Sequence, residues 1–187
     1  MLGKNIFCIE GDWESDLRKK TSILSGLELL HNTCDISFIY KTSGTQPEVL
    51  YRLNEYVRYT KSKYITYNIL YMATHGERGG IYFDEVIDVL DFFTENFKVN
   101  AFEDRIIHFG SCASLNISED KLAELKDFTG AKIISGFTKD VSFLESTLFE
   151  VLYFNELQDR KNIKPLETFL KKNYASLIAK LGFRMVY

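Results

Sequence analysis

The apolar run Asn5-Ile-Phe-Cys-Ile9, closed by Gly11, predicts a buried first strand. Leu17, Leu24, Leu27 and Leu30 then recur at helical spacing, predicting a helix that stops near Asn32. Ile36-Ser-Phe-Ile-Tyr40 is the second strand. Thr42 to Gln46 is a loop, and Pro47 suits the first turn of a helix that carries Leu50, Leu53, Tyr56 and Val57 on one side. Tyr64 to Ala73 is the third strand, ending in Thr74-His75-Gly76. After a flexible turn at Glu77 to Gly80, Ile81-Tyr-Phe83 forms a small extra strand. Asp84 then caps a helix with Val86, Leu90, Phe93 and Phe97 on its apolar face.

Arg105 to Phe109 is the fourth strand and runs into Gly110-Ser111-Cys112. Ser118 caps a helix whose stripe of Leu122, Leu125 and Phe128 ends at Gly130. Ala131 to Ser135 is the fifth strand, followed by Gly136 to Asp140 and a helix over about 142 to 157. Pro165 opens a last helix that includes Leu166, Phe169, Leu170, Tyr174 and Leu177, and Phe183 to Tyr187 adds an edge strand. Strands alternating with helices predict a mostly parallel sheet of five or six strands covered on both faces, with every parallel strand ending at one edge.

Composition narrows the classes. The 187 residues fit one domain, 1–187, with a large core: 45% are hydrophobic and only two are proline. The net charge of −3 gives no general pull toward nucleic acid or an anionic membrane. Positive charge gathers after Asp159, where a solvated helix face explains it. Cys8, Cys34 and Cys112 contain no C-x-x-C, so neither a disulfide framework nor a zinc cluster is indicated, and reduced thiols point to the cytoplasm. No signal peptide and no run of membrane-spanning length is present. Neither common phosphate-binding glycine motif occurs, and no metal or cofactor is implied.

Two strand exits carry the chemistry. Cys112 follows Gly110 and Ser111, which leave room for a sharp turn, and the small Ala113 and Ser114 would let a substrate backbone approach. A thiol attacks a carbonyl as thiolate, and a nearby imidazole or a helix N-terminus favours that form. His75 sits at the matching exit, 37 positions earlier, followed by Gly76, whose N–H could face a developing oxyanion together with that of Cys112. Cys8 and Cys34 have no such surroundings and read as structural. His108 lies inside the fourth strand, where its ring finds a backbone partner in the core or faces a covering helix, and His31 sits at a helix C-terminus. Glu10, Asp12 and Glu14 surround the only tryptophan, Trp13, at the first strand exit, and Asp140 lies past the fifth strand.

Ala73-Thr-His75-Gly76, the turn Gly110-Ser-Cys-Ala-Ser114, and Ile133-Ile-Ser-Gly-Phe-Thr-Lys-Asp140 with the following helix together resemble the caspase-like cysteine peptidases of clan CD, most of all the CHAT and separase branch. The resemblance covers roughly residues 64 to 157. It implies a three-layer αβα sandwich of caspase-hemoglobinase-like type, Cys112 as nucleophile, His75 as general base and acid, the Gly76 and Cys112 amides as oxyanion donors, and Asp140 as a substrate-binding acid. The Gln-Ala-Cys-x-Gly of caspases is absent. Glu10, Asp12 and Glu14, together with Asp140, instead suggest a basic side chain before the cleaved bond. CHAT modules commonly end longer chains, so regulation here would come from a partner protein or from the loops.

The leading expectation is a cysteine endopeptidase with a Cys112–His75 dyad, acting on a peptide or protein substrate. The alternative is a non-catalytic peptide- or ligand-binding module on the same fold. A flavodoxin-like signalling domain would use the acids at the first strand exit to bind a metal and would leave His75 and Cys112 unexplained.

Overall fold

Ile6–Glu10 (β1) is buried along its whole length because both faces of the sheet are covered. A computed structural model describes residues 4–14, 16 and 18–187. After β1 come α1 (Leu24–Cys34), β2 (Phe38–Thr42), α2 (Gln46–Tyr59), β3 (Ile69–Ala73), β4 (His75–Glu77), β5 (Gly80–Tyr82), β6 (Val86–Asp88) and α3 (Val89–Asn96). The rest of the chain forms β7 (Ile106–Phe109), α4 (Glu119–Thr129), β8 (Ile133–Phe137), α5 (Phe143–Asp159), α6 (Ile163–Asn173), α7 (Ala175–Leu181) and β9 (Phe183–Val186).

The main sheet has six strands in the order β2-β1-β3-β7-β8-β9, all parallel except the antiparallel edge strand β9. Alternate residues of each strand feed two cores. Phe7, Ile9, Leu70, Met72, Ile107 and Phe109 meet α2, α3 and α4 through Leu53, Tyr56, Phe93 and Leu125. Ile6, Cys8, Ile69, Tyr71 and Ile106 face the other way, onto Leu27, Phe149, Phe154, Leu166 and Leu181 of α1, α5, α6 and α7. The result is the expected three-layer αβα sandwich of caspase-hemoglobinase-like type. Each large apolar side chain buried this way contributes about 1.5–3 kcal/mol.

Several expectations are corrected locally. The first helix begins at Leu24, and the described residues between Gly11 and Ser22 are not helical; Leu17 lies outside the described residues. The third strand is short because Tyr64 turns back onto Phe7, Tyr56 and Tyr67. His75 does not end in a plain turn but opens β4, the first strand of a separate antiparallel sheet β4-β5-β6. Asp88, not Asp84, caps α3 by accepting from the Leu90 and Asp91 amides, while Asp84 accepts from Gln46 N at the start of α2. The last helix is two, broken at Tyr174 (φ −125°, ψ 25°).

Candidate active site

β3 and β7 are parallel neighbours with Met72 opposite Phe109. His75 and Cys112 each lie three residues further on, so the strand register carries on to bring their turns together. Three contacts lock the turns. The Thr74 and Ser111 hydroxyls are 2.9 Å apart, Gly79 N donates to Ala113 O at 3.0 Å, and Gly76 packs directly on the Cys112 backbone. Ala113 takes a left-handed conformation (φ 47°) that turns the chain sharply after the cysteine, and its amide donates to Lys139 O at 2.9 Å.

The cysteine and the histidine open on one cavity of about 150 Å³, walled by Trp13, Val141 and Phe143 and floored by Gly110. The Cys112 sulfur is half-buried and accepts a hydrogen bond from Val141 N at 3.4 Å, with Val141 O 3.7 Å away. The His75 ring is held from the other side: Nε2 lies 2.7 Å from the Trp13 carbonyl oxygen. A carbonyl can only accept, so Nε2 carries the proton and Nδ1 of the neutral ring carries the lone pair. Among the described residues no hydrogen bond joins His75 to Cys112. The expected dyad is two groups facing one cavity, not a bonded pair.

The remaining sequence candidates are spread around this cavity. Glu10, only 2% exposed, does not reach it. Its carboxylate accepts from Trp13 Nε1, the Tyr40 hydroxyl, Ser22 Oγ at 2.6 Å and Ile23 N at 2.8 Å. Asp12 lines a neighbouring cavity of about 170 Å³ that shares Trp13, Glu14 and Thr21 with the first. Glu14 stands between the two cavities, and its hydrogen bond from Lys19 holds its carboxyl below the usual range. Asp140 is exposed and lines neither. His108 is fully buried, and its partners are side chains, Ser135 and Glu150 of α5, not the backbone. Among the described residues no group of three or more His, Cys, Asp or Glu is placed to hold a metal ion.

Sequence reasoning noticed Trp13 but gave it no role. Its carbonyl is the group that orients His75, and its ring packs edge-on against His75 (5.2 Å) and Phe143 (5.1 Å). A lone tryptophan at a strand exit was the available signal. Phe143 read only as part of a helix and Val141 was given no role, because no pattern marks a residue as a cavity wall.

Among solved structures, the chain is similar to a secreted C11 cysteine protease from Bacteroides thetaiotaomicron determined with an irreversible peptide inhibitor. The TM-score is 0.55 at 11% identity over 95% of this chain, which spans 59% of the length of that protease chain. Likeness at that identity shows the fold, which is that of the clan CD peptidases, and does not single out the CHAT and separase branch. No curated protein matches the sequence. No helix among the described residues is long and apolar enough to cross a membrane. One family model spans nearly the whole chain: over residues 3–187 it belongs to the family of unknown function DUF6642.

Proposed function

We propose that this chain is a cysteine endopeptidase with Cys112 as nucleophile and His75 as general base and acid. The observation that carries the reading is the shared register: a thiol and an imidazole leave adjacent parallel strands and open on one cavity. In the proposed reaction the His75 Nδ1 lone pair takes the thiol proton and the sulfur attacks the peptide carbonyl. The oxyanion that forms is met by the Gly76 and Cys112 amides. His75 returns the proton to the leaving amine, and a water activated by the same ring hydrolyses the thioester. Trp13, through its carbonyl, keeps the ring in the tautomer this sequence requires.

Asp12 and Glu14 beside the cavity, and Asp140 on the adjoining loop, support a basic side chain before the cleaved bond. Glu10 supports it less directly, because its oxygens are already taken. The free thiols of Cys8, Cys34 and Cys112 support a reducing compartment, the cytoplasm, as the place of action.

Peptides containing Lys or Arg, offered to the wild-type chain, are expected to be cleaved, and Cys112→Ala and His75→Ala each to abolish both cleavage and labelling by an acyloxymethyl ketone. Wild-type cleavage in either variant overturns the proposal. The engagement of the Cys112 sulfur by Val141 favours one other reading, a non-catalytic peptide-binding module. Such a module would bind peptide equally well as wild type and as Cys112→Ala, with no hydrolysis.

A further inference from the structure

Glu10 is a buried carboxylate beside the cavity, and no lysine or arginine is among its hydrogen-bond partners. Its four donors come from three separate pieces of chain: Trp13 in the loop after β1, Ser22 and Ile23 leading into α1, and Tyr40 in β2. An apolar residue at the end of β1 would fill this space without having to satisfy a buried acid. The carboxylate instead closes a short loop. Glu10 ends the strand, Gly11 N still pairs with Ala73 O at 2.9 Å, and three residues on the Trp13 indole N–H returns to the Glu10 side chain. Trp13 is thereby fixed at its ring while its carbonyl holds His75 Nε2. Burial, and next the hydrogen bond it donates to Glu10, push the Tyr40 phenol up to about 12, so Tyr40 stays a donor to this acid.

We propose that Glu10 is a positioning residue for His75, acting through Trp13: the buried carboxylate clamps the indole so that the Trp13 carbonyl meets the imidazole in one orientation. This rests on the reading of His75 as the base, but the clamp itself has a readout that needs no substrate. Trp13 is the only tryptophan in the chain, and its ring lies 5.2 Å from that of His75. An imidazole ring in contact with an indole alters its emission, so Trp13 fluorescence reports whether the two rings remain together. The groups that could also act on the signal are Glu14 and Cys112 in the cavity and Tyr82, whose ring is 6.4 Å from His75. His75→Ala separates them from the imidazole.

The test uses the full chain as wild type, Glu10→Leu, Glu10→Gln, Trp13→Phe and His75→Ala. Wild type and His75→Ala are expected to differ by a step in Trp13 emission, because the ring contact is lost in the variant. Glu10→Leu should lose most of that step and lower kcat on a Lys- or Arg-containing peptide about tenfold or more, with KM changed less than about threefold. Glu10→Gln should restore both in large part: its carbonyl can face Trp13 and Ile23 while its amide faces the Ser22 and Tyr40 hydroxyls, which can turn to accept. Should Glu10→Leu fail to fold, Trp13→Phe, which keeps an aromatic wall and loses the indole N–H, decides the matter by the same fall in kcat at nearly unchanged KM. A full step and wild-type kcat in Glu10→Leu, wild-type kcat in Trp13→Phe, or a wild-type chain with no step sensitive to His75→Ala overturns the proposal. If wild type cleaves no peptide, the peptidase reading falls, and the emission step alone decides whether Glu10 holds Trp13 against His75.

Discussion

A β carbon added at Gly76 would lie 2.6 Å from the carbonyl oxygen of Cys112 and 2.6 Å from Cβ of Ser111. Both distances are below any real contact, and the Cys112 oxygen is backbone that cannot swing away. Glycine serves here for close approach, since its backbone lies outside the left-handed region. Gly76→Ala is expected to push the His75 turn off the Cys112 turn, with a loss of about 1–3 kcal/mol in urea unfolding and loss of peptide cleavage. Wild-type values of both would show that the turns need not touch.

The buried polar chain under the cavity floor gives a second prediction. Tyr153 donates to Ser135, Ser135 can donate to His108 Nδ1, His108 Nε2 donates to Glu150 Oε1 at 3.0 Å, and Tyr71 donates to Glu150 Oε2 at 2.6 Å. Every proton then has one acceptor. Glu150→Leu strands the His108 N–H and the Tyr71 hydroxyl, and about 2–5 kcal/mol should be lost in chemical denaturation. Glu150→Gln should lose much less, because the Tyr71 hydroxyl can reverse and accept from the amide.

Asp35 ends α1 in a left-handed conformation (φ 54°) with its amide bonded to Leu30 O, and it is exposed. Asp35→Gly keeps that amide and removes the steric cost of the β carbon. A gain of about 0.5–1 kcal/mol is expected, measured as a shift of the thermal midpoint. A loss would mean that the aspartate side chain contributes more than its backbone strain costs.

Alkaline pH should unfold the protein in a recognisable order. Tyr40 is pushed up to about 12, by burial first, and burial also pushes Tyr56, Tyr71 and Tyr153 up. A raised value means that the folded chain holds these protons more tightly than the unfolded chain, whose tyrosines ionise near pH 10. Their contribution is therefore intact below about pH 10 and is lost as pH rises through the folded values. Stability should fall by about 1.4 kcal/mol per pH unit for each tyrosine still protonated only in the fold. Near-ultraviolet tyrosinate absorbance should show part of the eleven tyrosines ionising first and the rest only as the fold is lost. A single early transition of all of them would contradict this.

The alternation of strands with helices and the placing of His75 and Cys112 at strand exits were legible because they depend on local signals: apolar runs ending in small residues and glycines. The two residues share an offset of 37 with Met72 and Phe109, so adjacency of the strands was enough to bring them together. What the sequence could not carry was set by long-range packing. Glu10, expected to reach substrate, is turned inward by Tyr40, Ser22 and Ile23, which lie 12 to 30 residues away. The role of Trp13 depends on a carbonyl, which no side-chain pattern advertises. Leu17 read as part of the first helix because leucine spacing cannot report that Ile23 N is already bonded to Glu10.

Arg184 in β9 donates to Leu115 O at 3.1 Å and Ile117 O at 2.7 Å, and pairs with Glu119 at 2.6 Å. It thus ties down the chain immediately after the cysteine turn from a strand about 70 residues later in sequence. During synthesis, His75 and Cys112 leave the ribosome well before Arg184 exists. Until β9 pairs with β8, the segment after the thiol is held by its bonds to the Phe137 and Lys139 carbonyls and by the Gly79 amide on the Ala113 carbonyl, without the Arg184 tie. The timing of translation therefore separates the making of the reactive residues from the fixing of their surroundings.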